Sequence, residues 1–216
     1  MTDILLLSAG LDSFPAWYYL NRPHALYCDL GHRYRDQERQ ALAELAERCG
    51  IDVEISKELT LGAREGEDAI IPFRNAHLAM LAAQRGDTVW CVGVRGDHTL
   101  DKSPQAFADM SAFLSRMAGR AITVDSPFWE MTKTDIVAWY LGQGLPADDL
   151  LLTFSCSRFD GVRRHCGQCS SCLRRWISLV NNDIHAPFDN PPWRWERVHS
   201  YYLATMTDGT YPDRRA

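Results

Sequence analysis

Short apolar runs recur along the first two-thirds of the chain, and the stretches between them repeat their apolar positions every three or four residues. Ile4-Leu5-Leu6-Leu7, Ala25-Leu26-Tyr27-Cys28, Val53-Glu54-Ile55, Thr88 to Val94 and Ala121 to Val124 read as strands. Phe14 to Leu20, Arg35 to Cys49, Phe73 to Arg85, Pro104 to Met117 and Thr132 to Leu141 read as helices. Leu42, Leu45, Ala46 and Cys49 share one helical face, and Gly50 stands where a left-handed residue ends a helix. Thr132 and Asp135 have the spacing of a capping box. Residues 60–68 carry no period and read as a loop. Strands alternating with helices of this length predict an α/β fold, a five-stranded parallel sheet covered on both faces, with ligands at the carboxyl ends of the strands. The pattern divides into an α/β nucleotide-binding domain over 1–150 and a smaller helical module over 151–216.

The first strand runs into Ser8-Ala9-Gly10-Leu11-Asp12-Ser13, and a helix with Pro15 in its first turn follows. A small-residue turn between strand and helix aims unpaired N–H groups and the positive end of a helix dipole at one point, which suits an anion. The Ser8 and Ser13 hydroxyls add donors. Asp12 repels a bare anion, so it suits a Mg²⁺ ion, a ligand hydroxyl or a capping role. Gly10 permits a positive φ or a close ligand approach. No Gly-Lys-Ser/Thr follows, so this is not a Walker loop. The segment resembles the Ser-Gly-Gly-x-Asp-Ser pyrophosphate (PP) loop of ATP-pyrophosphatases, with Ala9 in place of a glycine. An alanine there costs free energy if the position needs a positive φ.

Cysteine adds a second element of chemistry. Cys156, Cys166, Cys169 and Cys172 form C-x9-C-x2-C-x2-C, a spacing that lets four thiolates converge on one Zn²⁺. An iron–sulfur cluster or disulfides are alternatives. Gly167 supplies a tight turn in the knuckle. Cys28, Cys49 and Cys91 read as small buried residues. Seven cysteines is an odd total, and the Met-Thr-Asp start has no secretory character, which together argue for a reducing, cytoplasmic compartment. No apolar run approaches a membrane span. A net charge of −5 argues against a dedicated nucleic-acid binder. Arg158, Arg163, Arg164, His165, Arg174 and Arg175 nevertheless gather around the cysteines, as a solvated rim or an anion-binding patch. The 216 residues suffice for a full core.

Taken together and in this order, the loop and the knuckle resemble the 7-cyano-7-deazaguanine synthase family of queuosine-precursor biosynthesis. Gly31-His32-Arg33-Tyr34 resembles that family's Gln-Arg-His-type stretch, and Pro72-Phe73-Arg74-Asn75 its Pro-Gly-Arg-Asn. Gly93 to Asp97, Ser126-Pro127 with Thr132-Lys133, and Thr153 to Cys156 resemble further family segments, as does Cys166-Gly-x-Cys-x-x-Cys172-x-Arg174. The chain departs from the family at Phe73 and across Asp97 to Phe107, where Asp101-Lys102-Ser103-Pro104-Gln105 replaces a Ser-x-Tyr-Pro-Asp-Cys pattern. Phe73 adds bulk beside Arg74.

The resemblance implies the PP-loop ATP-pyrophosphatase fold, a structural Zn²⁺, Mg²⁺, ATP as co-substrate and a homodimer. It implies adenylation of the carboxylate of 7-carboxy-7-deazaguanine and attack by ammonia, giving an amide and then a nitrile. The departures leave open an offshoot, one associated with antiviral defence included, that joins a deazapurine to another amine and stops at the amide. They also leave open a nucleotide-binding scaffold without chemistry. Under the resemblance, Ser8, Ala9, Gly10, Leu11, Asp12 and Ser13 hold pyrophosphate and Mg²⁺. Asp12, Ser13, Arg74 and Lys133 carry the chemistry, and Arg74, Asn75 and Asp97 meet the substrate. His32 reads as a surface loop residue, and Pro192-Trp193-Arg194-Trp195 with Tyr201 and Tyr202 as a packing or dimer element.

Overall fold

Five apolar runs pair into one parallel sheet: β1 (Asp3–Leu6), β2 (His24–Cys28), β3 (Val53–Ser56), β4 (Thr88–Trp90) and β5 (Thr123–Asp125), in the order β3-β2-β1-β4-β5. The computed structural model describes residues 2–66, 69–97, 99–158 and 163–208. The first residue, the end of the 60–68 loop, His98 within the Asp97–Phe107 segment, and residues 209–216 of the C-terminal module lie outside the described residues. Chain order runs outward from β1 to β3 and then jumps to β4 on the other side. The carboxyl ends of β1 and β4 therefore border a crevice of the kind in which such sheets bind ligands.

Helices cover both faces. The strands alternate their side chains, so Leu5, Ala25 and Tyr27 enter one core and Ile4, Leu26 and Val89 the other. The first core is built with α1 (Ser13–Tyr19), α2 (Arg35–Cys49) and α5 (Lys133–Gly142). The second uses α3 (Arg74–Ala82) and α4 (Pro104–Ala118). Downstream come α6 (Ala147–Leu152), α7 (Ser170–Val180) and α8 (Ala204–Thr207). Cys156, Cys169, Cys172, Leu179 and Ile184 belong to the same buried cluster as Leu5 and Phe14, so the cysteine segment shares the sheet's core.

Local rules explain the helix ends. Gly50 closes α2 at φ 67°. Thr132 and Asp135 make the expected capping box at α5. Ser103 caps α4, with Pro104 in its first turn. Two elements are shorter than the sequence pattern predicts. β4 ends at Trp90, not Val94, because the Ser126 side chain takes over both backbone groups of Gly93, at 2.9 and 2.6 Å. α3 starts at Arg74 and ends at Ala82, where turn bonds to Arg85 and Gly86 replace the helix. Residues 62–64 form a 3-10 turn inside the expected loop. Pro192 is buried and Trp193 packs on Trp176 at 5.2 Å, so the aromatic tail begins as a packing element.

Candidate active site and metal centre

The turn after β1 is drawn together by one hydroxyl. The N–H groups of Ser8 and Gly10 both donate to Ser13 Oγ, at 3.3 and 3.1 Å, and the Ser8 hydroxyl lies 3.1 Å from it. Asp12 caps α1 by accepting the Ser13 N–H at 3.0 Å. The positive φ falls on Ala9, at 55°, and not on Gly10. Ala9 thus carries a left-handed backbone costing about 1–2 kcal/mol, in a fully buried position. Gly10 serves close approach instead: a Cβ there would stand 3.0 Å from the Asp12 carboxylate and 3.4 Å from Ser8 Oγ. Leu11 is buried and anchors the turn in the core.

Five charged side chains meet beside this turn. Lys133, the first residue of α5, reaches Asp12 at 2.5 Å. Asp97, in the loop after β4, receives Lys102 at 3.0 Å and Arg174 at 2.9 Å. The Val94 N–H donates to Asp97 at 3.2 Å and fixes it to the backbone. Burial would raise both carboxyls, but the surrounding cations win. Lys102, Arg174 and Lys133 hold Asp97 well below the usual carboxylate range, and Lys133 and Lys102 hold Asp12 down. Burial pulls the Lys102 ammonium down, yet Asp97 and Asp12 more than restore it. Lys133 is pulled down by burial, with the like charges of Arg174 and Lys102 adding to the effect against Asp12.

Arg74 and Asn75 open α3, beside Asp101 and the Cys91 thiol. Asn75 is buried, takes a contact from the Cys91 thiol at 3.8 Å, and donates its N–H to Asp101 at 3.1 Å. Arg74 faces Tyr34, Glu38 and Asp101; burial pulls its guanidinium down, and these neighbours outweigh it and keep it charged. Phe73 also adopts a left-handed backbone, φ 58°, immediately before α3. Its ring is 73% exposed and so does not shield Arg74. His32 is buried, against the expectation of a surface residue: its Nε2 meets Glu38 at 3.1 Å and its ring packs edge-on against Tyr34. Tyr27 donates to the same Glu38 oxygen at 3.1 Å. Ser8, Asp12, Ser13, Lys133 and Asp97 are therefore brought together, while Arg74 and Asn75 line a neighbouring polar region.

The cysteine sulfurs of Cys156, Cys166, Cys169 and Cys172 all lie within 4.8 Å of one another and could hold a metal ion. The N–H of Gln168 points at the Cys166 sulfur, and that of Cys172 at the Cys169 sulfur, so the backbone already supports negative sulfur. Gly167 has φ 71°, and a Cβ there would stand 1.7 Å from the Asn190 carbonyl oxygen. Cys28 and Cys91 are buried as expected, and Cys49 is half-buried. The basic residues around the knuckle form neither a solvated rim nor a single patch. Arg163 pairs with Glu44, Arg164 with Asp189 and Arg174 with Asp97. Arg175 is buried and donates to Thr153 Oγ1, Leu150 O and Leu151 O.

Lys102 and Glu38 are site residues that sequence reasoning missed. Lys102 precedes the Ser103 cap, so a polar residue there reads as solvent-facing. Glu38 stands one turn before Leu42 on the same face of α2, so its place on the inward face was the signal available in the sequence. Among the described residues, no helix is long and apolar enough to cross a membrane.

A family model described as "Queuosine biosynthesis protein QueC" matches residues 52–183. A 7-cyano-7-deazaguanine synthase of Methanoculleus marisnigri is 31% identical over 222 residues, covering 86% of this chain and 97% of the relative. Its counterpart in Archaeoglobus fulgidus is 28% identical, covering 87% and 89%. That of Marinobacter nauticus is 26% identical, covering 87% and 97%.

Proposed function

Since the chain belongs to the QueC family of queuosine biosynthesis proteins, a family of ATP-dependent ligases, we propose that it activates the carboxylate of 7-carboxy-7-deazaguanine with ATP and delivers it to ammonia. The observation that carries this reading is the Ser8–Ser13 turn with the Asp12–Lys133 pair, at the carboxyl end of β1. A turn that gathers two amides and two hydroxyls, next to a surplus of cations, suits a departing pyrophosphate.

The carboxylate oxygen attacks the α-phosphorus, and the bond to pyrophosphate breaks. The Ser13 hydroxyl, whose oxygen already accepts the Ser8 and Gly10 N–H groups and so is set to donate its own proton, and Lys133 stabilise the charge that builds on the leaving group, which is where stabilisation accelerates the step. Leu11 and Ala9 serve through the backbone shape they impose. Asp12 would hold Mg²⁺, which would supply further neutralisation of the phosphates. Ammonia then attacks the acyl carbon, AMP leaves with the original carboxylate oxygen, and a proton is lost to give the amide. A second ATP activates the amide oxygen, and loss of AMP and protons leaves the nitrile. Arg74 pairs with the substrate carboxylate, with Asn75 and Asp97 bordering the acceptor. The protein supplies position and charge, and no covalent enzyme intermediate is required.

Zn²⁺ suits the cysteine centre, because four thiolates with closed tetrahedral spacing match a structural zinc site. On this reading residues 1–150 bind nucleotide and 151–216 form the zinc module, in a cytoplasmic, homodimeric enzyme.

An oxygen-tracing experiment tests the chemistry. Substrate labelled with ¹⁸O in both carboxylate oxygens, incubated with ATP, Mg²⁺ and ammonia, should yield two AMP, each carrying one ¹⁸O, for every nitrile formed, and a nitrile with none. Product that is amide only would assign the arrested chemistry. Unlabelled AMP, or no pyrophosphate release, would reject the adenylation reading.

A further inference from the structure

We propose that Arg174 and Lys102 bind the pyrophosphate portion of ATP, and that Asp97 is the fixed post that holds both cations at the site. The proposal rests on the reading that ATP occupies the turn after β1, and it assigns two residues that this reading leaves out.

Charge balance comes first. Lys102, Lys133 and Arg174 face only two carboxylates, Asp12 and Asp97, in one connected cluster. Three cations against two anions leave an excess of one positive charge. Lys102 and Lys133 are each only 18% exposed, and a partly buried excess charge is costly without an anion to meet it. A polyphosphate meets that requirement, while a neutral base or an amine does not.

The geometry gives Arg174 a specific part. Asp97 divides its carboxylate, Oδ1 to Arg174 and Oδ2 to Lys102, and the Val94 N–H holds Oδ2 from behind. Arg174 spends one Nη2–H on Asp97, and its other donors make no hydrogen bond to the described residues. Its side chain is 40% exposed, so the remaining edge of the guanidinium faces the open side of the cluster. A planar group with spare donors, pinned at one corner, is preorganised for a phosphate oxygen pair. Arg174 lies two residues beyond Cys172 on the first turns of α7, so the cysteine centre sets where it stands. Its neighbour Arg175 points about 100° away into the core. Lys102 arrives from the segment that departs from the family pattern, so this chain builds part of its phosphate site in its own way.

The test separates phosphate binding from nucleoside binding. Calorimetry with Mg²⁺ would measure inorganic pyrophosphate, ATP and AMP against the wild-type chain, Arg174→Ala, Arg174→Lys, Lys102→Ala and Ser13→Ala. Arg174→Ala and Lys102→Ala should each weaken pyrophosphate and ATP by about 10- to 100-fold, the span a lost charge-assisted hydrogen bond commands, and leave AMP within about twofold. Arg174→Lys should recover part of the loss, and bound metal should stay at the wild-type value. Unchanged pyrophosphate affinity in both alanine variants, with Ser13→Ala impaired, would overturn the proposal and leave the ATP reading standing. Equal losses for AMP and pyrophosphate, accompanied by loss of metal, would also overturn it, in favour of a structural role. A wild-type chain that binds neither ATP nor pyrophosphate would reject both.

Discussion

Replacing Arg175 by methionine should destabilise the protein, although no acidic side chain among the described residues pairs with it. The guanidinium is 1% exposed and donates to Thr153 Oγ1 at 2.5 Å and to Leu150 O at 3.0 Å, with a weaker contact to Leu151 O at 3.4 Å. Leu150 and Leu151 lie in the last turn of α6, and the last carbonyls of a helix have no partner within it. Arg175 therefore closes α6 from α7 and ties the segment before Cys156 to the helix after Cys172. Methionine keeps most of the volume of the stem, so packing changes little. Two hydrogen bonds from a charged donor are lost at about 1.5–3 kcal/mol each, about 3–6 kcal/mol together, an upper bound because burial pulls the guanidinium down to a pKa of about 10 and its Nε–H has no partner among the described residues. Thr153 Oγ1 also donates to Leu150 O at 2.6 Å, which keeps that carbonyl paired and points to the lower half of the range. At about 2–4 °C per kcal/mol for a chain of this size, the melting temperature should fall by about 6–18 °C. Urea unfolding of the metal-loaded protein, followed by tryptophan fluorescence, measures the difference directly. A methionine variant within about 1 kcal/mol of wild type would show that Arg175 does not satisfy the end of α6.

Two further outcomes are expected. Elemental analysis should find one zinc per chain, and chelation under reducing conditions should lower stability by at least several kcal/mol, because the cysteine segment shares the sheet's core; a metal-free chain with an unchanged melting temperature would contradict this. The carboxyls of Asp12 and Asp97 are both depressed on folding, so their contribution is fully present above the ordinary carboxylate pKa of about 4 and drains away as pH falls through the lower folded values. Asp97→Asn should therefore be less stable at pH 7 yet show a flatter fall in melting temperature below about pH 4 than wild type, and parallel curves would remove Asp97 from the account.

The sheet was legible because each strand announces itself by a short apolar run, and the turn after β1 because small and hydroxyl residues crowd one junction. The cysteine centre was legible from spacing alone. What escaped depends on direction in space. Arg174 and Arg175 are adjacent and chemically identical, yet one pairs with Asp97 beside the turn after β1 and the other closes a buried helix end. Only the rotation of α7 separates them. His32 looked like a loop residue because its burial comes from Glu38 and Tyr34, which fold back over it. β4 looked longer because Val92 and Val94 are apolar, and their sequence does not show that Ser126 takes over the Gly93 backbone. The strain at Ala9 was visible only as a condition, a cost if φ is positive, and the turn meets that condition.

The hydrogen bond from the Phe154 N–H to the Ala9 carbonyl, 3.0 Å long, is the direct backbone tie between the turn after β1 and the strand of chain that enters the cysteine centre at Cys156. It makes the two sites partners in one thermodynamic cycle. A ligand that favours the same arrangement of this segment as the metal does raises the metal's affinity, and the metal raises that ligand's affinity by the same factor. Metal exchange, measured with and without nucleotide, thus becomes a gauge of what happens 147 residues earlier in the chain, at Ala9 as seen from Cys156.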